Sequence, residues 1–371
     1  MTDSRTTVRV ARRGLLHGAV LLPLMGASGS ASALPAGIRA QGRFAASCDP
    51  LAEPLEAIRP KRHDYEAWPH LLTTPGGAVL CGYTARAQHL TVKGSTSVLV
   101  RSEDGGESWE QIAVCRNDAV GWGFEAMAVG GGGEIIVIHS LNSALHHDKP
   151  DQLLVEVSWD DGRTFQEKTE VDTGGVLVTL GDLTYVGNGT LLAPYHGDGW
   201  GVVRSQDDGK TWQVVGTSNG GKWPFEGRII TGRTPEQDHS DATDLLMVAR
   251  NPEIGLLLSR STDRGATWDQ AEATGLGVMY EGLHADGPLV HMVLADRDSG
   301  EIFSTTSTFT RLWADATDWD PPCLLTALDP SGAPAEQGYP DLARVDEQTL
   351  LMAAYDGENP ITDIRLWRYP G

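Results

Sequence analysis

The chain has few cysteines and few basic residues, and each shortage excludes a class of protein. Its 371 residues include four cysteines, Cys48, Cys81, Cys115 and Cys323, whose spacing matches no metal-ligand pattern. Lys and Arg number 29 against 50 Asp and Glu, and the formal net charge of −21 repels nucleic acids and anionic membranes. The composition therefore predicts no nucleic-acid partner, and the chain shows no pattern for a metal or another cofactor.

The N-terminal residues carry the pattern of an export signal. Arg12 and Arg13 precede an apolar run from Gly14 to Met25, and small residues ending at Ala33 follow. Because the run is too short to cross a bilayer, it predicts a cleaved signal peptide rather than a membrane span. The arginine pair favours the twin-arginine route, with an ordinary secretory signal as the alternative. We expect a signal at residues 1–33, an N-terminal extension at 34–60, and a mature protein that is periplasmic or secreted.

A short motif recurs four times and predicts the fold. It reads Ser-x-Asp-x-Gly-x-x-Trp/Phe and starts at positions separated by 56, 47 and 56 residues, namely Ser102, Ser158, Ser205 and Ser261. The Asp can cap backbone N–H groups, the Gly can take a positive φ and the aromatic ring can pack under the loop, so each copy predicts a β-hairpin turn. The separation corresponds to about one four-stranded propeller blade per copy.

The motif is similar to the Asp-box of the sialidase superfamily, also called the bacterial neuraminidase repeat, which the chain resembles from about Tyr65 to Tyr369. The resemblance implies an all-β fold, a six-bladed β-propeller over residues 61–371, with seven shorter blades as the alternative. Asp-boxes are structural turns that also occur in other sugar-active and non-catalytic proteins. The motif therefore predicts the propeller more strongly than the activity.

Segments outside the Asp-boxes resemble the catalytic motifs of sialidases. Tyr339, in Gly-Tyr-Pro-Asp-Leu, falls on the nucleophilic tyrosine of that family. Glu226 and Arg250 match the glutamate that activates this tyrosine and a substrate-binding arginine, and Arg297 loosely matches the last arginine. A propeller returns its last blades beside its first, so we expect Tyr339 Oη within hydrogen-bond reach of Glu226. An ion pair between Glu226 and Arg250 that only ties strands together is the alternative.

The first blade departs from the family pattern. Ala67 stands where the first carboxylate-binding arginine is expected, Arg86 follows the next strand, and His89 takes the place of the acid/base Asp. Further histidines follow apolar strands at comparable places in their repeats, which predicts several imidazoles at one mouth of the channel. The predicted substrate-binding residues are therefore Arg86, Arg250, Arg297, His139, His196 and His284, beside the predicted catalytic residues Tyr339, Glu226 and His89.

Two chemistries fit this set of residues. Hydrolysis of a glycosidic bond would use Tyr339 activated by Glu226, with His89 or a further carboxyl protonating the leaving oxygen. Elimination on a uronate-containing polysaccharide would use Arg or His to neutralise the carboxylate while His or Tyr removes the adjacent proton. A propeller that binds glycans without turnover is the third possibility. We expect a sialidase-like glycoside hydrolase acting on a glycan, with the lyase second.

Overall fold

The computed structural model describes residues 52–371 except 60–62, 90, 92, 117–120, 143–151, 172–177, 198–199, 218–224, 233–242, 278, 298, 329–336 and 359–360. The predicted export signal lies outside the described residues. Almost every described element is a strand, and the strands are largely buried along their length, as expected where each sheet packs between two neighbours. A helix is described at α1 (Phe309–Ala314), where the side chain of Thr308 caps the N-terminus by accepting from the backbone N–H of Arg311.

The strands follow one another in groups of about four. The described part of the chain starts with β1 (Glu53–Pro54), and the first two blades contain β2 (Tyr65–Thr73), β3 (Val79–Arg86), β4 (Thr96–Ser102), β5 (Glu110–Arg116), β6 (Gly121–Val129), β7 (Ile135–Asn142), β8 (Gln152–Ser158) and β9 (Gln166–Glu170). The third and fourth blades contain β10 (Val178–Leu180), β11 (Thr184–Tyr185), β12 (Leu191–Gly197), β13 (Trp200–Ser205), β14 (Gln213–Thr217), β15 (Phe225–Thr231), β16 (Leu245–Asn251), β17 (Gly255–Ser261) and β18 (Glu272–Ala273). The last two contain β19 (Tyr280–Asp286), β20 (Leu289–Ala295), β21 (Glu301–Thr308), β22 (Cys323–Ala327), β23 (Gly338–Asp346), β24 (Thr349–Glu358) and β25 (Ile361–Pro370).

These strands form six antiparallel sheets arranged in a closed ring. The first strand of each sheet faces the axis, and β2, β6, β10, β15, β19 and β23 each contact the next, with β23 contacting β2 again. The sixth sheet takes its fourth strand from the start of the described chain, because β1 pairs with β25 through Glu53 opposite Arg368 and Pro54 opposite Trp367. The predicted six-bladed β-propeller is confirmed.

Hydrophobic clusters hold neighbouring blades together. Leu80 and Leu99 of the first blade pack with Ile135 of the second, and comparable clusters occupy the other five blade interfaces. Cys81 lies in the cluster between the sixth and first blades as a free thiol, whereas Cys323 is disulfide-bonded. The core of this protein is thus divided among interfaces rather than gathered at one centre.

The four Asp-box copies form the same hairpin turn. In the third copy, Asp207 accepts from the backbone N–H of Thr211 at 2.8 Å, from its hydroxyl at 2.7 Å and from Ser205 Oγ at 2.9 Å. Asp208 and Gly209 take positive φ values of 58° and 79°. Trp212 Nε1 donates to Gly209 O at 2.8 Å, which holds the ring under the turn. The motif therefore acts locally, at the hairpins between the third and fourth strands.

Replacing Asp207 with alanine removes these capping hydrogen bonds. We expect the free energy of unfolding to fall by about 1 kcal/mol, the usual cost of a lost cap, with kcat of the folded protein unchanged. Chemical denaturation and steady-state kinetics on the same preparation measure both quantities. A large fall in turnover at an unchanged melting temperature would contradict the structural assignment of the turn.

Candidate active site

A cavity of about 310 Å³ opens where the inner strands of all six blades converge. Its wall is polar and aromatic, and every blade contributes to it. The lining side chains used below are Trp68, His70, Arg86, His89, Glu125, Asp182, His196, Glu226, Arg228, Tyr280, Glu281 and Tyr339. A concave site with several convergent polar groups is the usual form of a small-ligand site.

Tyr339 and Glu226 meet at this wall. Tyr339 Oη donates to Glu226 Oε1 at 2.6 Å, although 113 positions separate the two residues. The other carboxylate oxygen of Glu226 accepts from Arg250 Nε at 2.9 Å and from Arg250 Nη2 at 2.7 Å. The expected contact between the tyrosine and the glutamate is present, and Arg250 holds the glutamate in place.

The environment keeps the Tyr339 phenol protonated. Burial raises its pKa well above the ordinary value, the negative charge of Glu226 raises it further, and Arg250 only partly opposes them. The hydroxyl is therefore the donor in the bond to Glu226. Any reaction that uses the oxygen as a nucleophile needs Glu226 to take the proton.

Left-handed backbone positions direct three side chains at the cavity. Trp68, Glu226 and Tyr339 have φ values of 56°, 55° and 48°. Each lies where the register of its inner strand shifts, in β2, β15 and β23 respectively. Such a bulge turns a side chain out of the normal alternation, and a non-glycine residue in this region costs about 1–3 kcal/mol. This strain is typical of functional positions.

Arg250 and Arg297 support the Tyr339 wall from behind. Arg250 Cζ lies 4.4 Å from the centre of the Tyr280 ring, and Arg297 Nη1 donates to Tyr280 Oη at 3.1 Å. Arg297 also donates to Gln337 O at 2.9 Å and to Tyr355 Oη. Both arginines are near Tyr339, as the resemblance implied, but the described residues that line the cavity do not include them.

Arg86 and His89 line the cavity in the first blade, next to the blade of Tyr339. Arg86 Nη1 donates to His89 O at 2.7 Å, and Arg86 Cζ lies 4.4 Å from the centre of the Trp68 ring. His89 Nδ1 lies 3.0 Å from Tyr65 Oη, which orients the imidazole. Ala67, at the position of the missing arginine, is fully buried in the core.

Only some of the predicted histidines reach the cavity. His196 lines it, and its Nδ1 accepts from the backbone N–H of Glu226 at 3.5 Å. His139 is instead buried on the second strand of its blade, 2.8 Å from Ser97 Oγ and 3.4 Å from Glu156 Oε2. His284 lies four residues along β19 from Tyr280, roughly 13 Å at the usual strand rise. Burial lowers the pKa of His284 to about 4, and the charge of Arg344 adds to the effect.

Sequence reasoning missed a charged cluster at the base of the cavity. Arg228 Nη1 donates to Asp182 Oδ2 and to Asp341 Oδ1, both at 2.8 Å, and His70 Nδ1 lies 3.5 Å from Asp182 Oδ1. Asp182 and Asp341 raise the pKa of Arg228 against the effect of burial. His70, Asp182 and Asp341 have donor atoms within 4.8 Å of one another, a spacing that could hold a metal ion. Arg228 already bonds to both carboxylates, so it supplies the positive charge there.

A regular signal accompanies this cluster. His70, Arg228 and Asp341 each stand two positions after one of the left-handed residues Trp68, Glu226 and Tyr339. The bulge interrupts the normal strand alternation between these two positions, so the repeated offset, rather than strand periodicity, is the signal that could have indicated them.

Two further carboxyl groups are enclosed in the wall. Burial raises the pKa of Glu125 and raises that of Glu281 well above its ordinary value, which favours their uncharged forms. Glu125 Oε2 accepts from the backbone N–H of Leu180 at 3.0 Å. Glu281 Oε1 makes no hydrogen bond within the described part of the chain. The cavity therefore combines charged pairs with buried, protonatable acids.

Six antiparallel blades around an axial cavity, with a tyrosine and a glutamate hydrogen-bonded at its wall, define a propeller of the sialidase-like architecture. Residues 125–348, more than half of the chain, match the family of BNR repeat-like domains, and the chain belongs to that family. A search of curated proteins finds no match.

Several solved structures share the fold. A protein of unknown function from Dyadobacter fermentans has a TM-score of 0.70 and 18% identity over 86% of this chain and 98% of that one. A Hadza microbial sialidase has a TM-score of 0.62 and 18% identity over 82% of this chain and 66% of that one. Trypanosoma rangeli sialidase in complex with sialic acid has a TM-score of 0.61 and 15% identity over 88% of this chain and 58% of that one. This chain spans about two thirds of the length of the Hadza sialidase and less than two thirds of the Trypanosoma rangeli sialidase. At such low sequence identities the likeness is one of fold. Across the described ranges, no helix is long and apolar enough to cross a membrane.

Proposed function

We propose that this protein is a glycoside hydrolase that cleaves a glycan in the axial cavity, with Tyr339 as nucleophile and Glu226 as its base. The hydrogen bond of 2.6 Å from Tyr339 Oη to Glu226 Oε1, at the cavity wall, is the observation that carries the proposal. The left-handed backbone of both residues supports it, because a structural pair needs no such strain.

The proposed reaction proceeds by two displacements. Glu226 takes the phenolic proton as Tyr339 Oη attacks the anomeric carbon, the glycosidic bond breaks, and the leaving oxygen takes a proton from His89. Water then attacks the same carbon and gives a proton to His89, while the released Tyr339 oxygen recovers its proton from Glu226. Two inversions at one carbon predict a product of retained configuration.

The proposal names the class of substrate and not a particular sugar. The Trypanosoma rangeli structure holds sialic acid, and Arg250 and Arg297 stand close to Tyr339 in this chain. Ala67, however, provides no guanidinium where the family has its first arginine. We therefore propose glycans in general as the substrate class rather than sialosides alone.

Elimination on a uronate-containing polysaccharide is the second candidate. The contacts of Arg86 with His89 and of His89 with Tyr65, at 2.7 Å and 3.0 Å, favour it. In that reaction Arg86 pairs with the uronate carboxylate, and His89 removes the proton on the adjacent carbon. His89 then passes the proton to the leaving glycosidic oxygen as the carbon–carbon double bond forms.

A panel of neutral, sialylated, sulfated and uronate-containing glycans tests the two reactions. We expect new reducing ends without ultraviolet absorbance from an unsaturated uronate, because hydrolysis creates no double bond. Appearance of that absorbance would replace the hydrolase by the lyase. If no product forms but the immobilised protein still retains glycans, the protein binds glycans without cleaving them.

A further inference from the structure

Arg86 is a partly buried cation in the cavity wall that forms no ion pair within the described structure. Glu125 acts on it electrostatically, but burial favours the uncharged form of that carboxyl group. Its hydrogen bond goes to a backbone carbonyl, His89 O at 2.7 Å, and its guanidinium stacks on the Trp68 ring. Arg86 Nε is buried and makes no hydrogen bond. Arg228, the other described arginine of the lining, bonds instead to two aspartates.

Such an arrangement is costly unless a ligand completes it. Burial lowers the pKa of Arg86 to about 10, which shows that the charged form is destabilised relative to an arginine in water. A carbonyl dipole and an aromatic face offset only part of the desolvation of a guanidinium. An oxyanion of a bound ligand would supply the missing charge through hydrogen bonds stronger than those between neutral groups.

Aromatic rings connect Arg86 to the reacting pair. The Trp68 ring, on which Arg86 stacks, lies 6.0 Å from the Tyr355 ring, and that ring lies 6.0 Å from the Tyr339 ring. An anion bound at Arg86 would therefore lie beside Trp68 of the first blade, next to the blade that carries Tyr339.

We propose that Arg86 binds an oxyanion, a carboxylate or a sulfate, carried by an acidic glycan. The inference rests on the proposed function only for the statement that the bound glycan is a substrate. Arg86 sets a preference for acidic glycans, and Trp68 fixes the plane of its guanidinium.

An array of uronate-containing, sulfated and neutral glycans tests the proposal, with the uronates also present as their methyl esters. Binding is measured with the full-length Tyr339→Phe variant, so that bound glycans are not cleaved. We expect retention of acidic glycans and weak retention of neutral ones. The esters keep the shape of the uronates but lose the charge. If the recognised anion is a carboxylate, the esters should bind as weakly as neutral glycans. If it is a sulfate, only the sulfated glycans should bind.

Arg86→Met in the same background keeps an apolar stem beside Trp68 and removes the charge. We expect affinity for acidic glycans to fall roughly 10- to 100-fold, the scale of one charged hydrogen-bonding group, with neutral glycans unaffected and Arg86→Lys intermediate. Arg311→Met, which changes a half-exposed arginine outside the cavity lining, serves as control and should leave glycan binding unchanged. Three results would each overturn the proposal. The protein could retain uronates and their esters equally without preferring sulfated glycans, it could retain no glycan, or Arg86→Met could leave the binding profile unchanged. Turnover by the unmodified enzyme is scored separately, so a protein that binds acids through Arg86 without cleaving them refutes the hydrolase and not this inference.

Discussion

Tyr339→Phe is expected to lower turnover roughly 1,000-fold or more, since it removes one oxygen and leaves the rest of the cavity unchanged. The hydroxyl that is removed donates to Glu226 at 2.6 Å, and the ring stays packed against Tyr280 with its centre 4.4 Å from that ring. The variant should therefore fold normally. Steady-state kinetics on the glycan identified by the panel, together with the melting temperature, measure both properties.

A matched control separates catalysis from packing. Tyr195→Phe removes the hydroxyl of a buried tyrosine in the cluster between the second and third blades and should leave kcat unchanged. If Tyr339→Phe keeps full activity while His89→Ala is inactive, the tyrosine mechanism is wrong and a histidine-based one replaces it. A loss of stability with normal kcat would mark Tyr339 as a packing residue.

Arg228→Met should have the largest effect on stability. The substitution leaves Asp182 and the buried Asp341 without the cation to which both bond at 2.8 Å. Removing one partner from a buried ion pair costs about 3–5 kcal/mol because the remaining charge stays desolvated. That is a large part of the 5–15 kcal/mol that typically stabilises a folded domain. The midpoint of urea unfolding at neutral pH measures the loss.

The pH dependence of this loss identifies its cause. Burial raises the pKa of Asp341 to about 6 although Arg228 lowers it, so removal of Arg228 must raise it further. The folded variant then holds a proton that the unfolded chain, with a pKa of about 4, has released, so its stability falls as the pH rises through this range. We expect the deficit relative to the unmodified protein to shrink from pH 7 to pH 5. Arg311→Met, which breaks two exposed ion pairs with Asp318 and Asp320, should show almost no deficit, and a similar deficit in both variants would contradict the argument.

The fold was predictable because its signal is local and repeated. Each Asp-box lies within eight residues, and its hydrogen bonds, such as Ser108 N–H to Asp104 Oδ1 at 2.9 Å, form within the motif itself. The pairing of Glu53–Pro54 with the last strand carries no such signal, because two residues without a regular pattern join a sheet made more than 300 positions later. That strand lies in the stretch that the sequence suggested as an N-terminal extension.

The candidate site was predictable where it resembles a family motif and, in part, where histidines follow apolar strands, as His196 does. Tyr339, Glu226 and Arg250 were found in this way, and the structure brings them together. Arg228 was missed because its partners, Asp182 and Asp341, lie 46 and 113 positions away, so no local pattern connects them. The number of histidines at the cavity was overestimated for the same reason. His139 and His284 follow apolar strands but do not line the cavity.

The closure of the ring has a consequence for when activity can arise. Tyr339 lies in the sheet that β1 joins to β25, so its blade needs segments from both ends of the described chain, whereas Glu226 belongs to the fourth blade. A nascent chain can complete five blades and still lack Tyr339, the hydrogen-bond partner of Glu226. Long-range pairings of this kind form late because they must first overcome the entropy of closing the chain. If the proposed mechanism holds, the Tyr339–Glu226 pair on which it depends can therefore form only after the strands of the sixth blade have been synthesised.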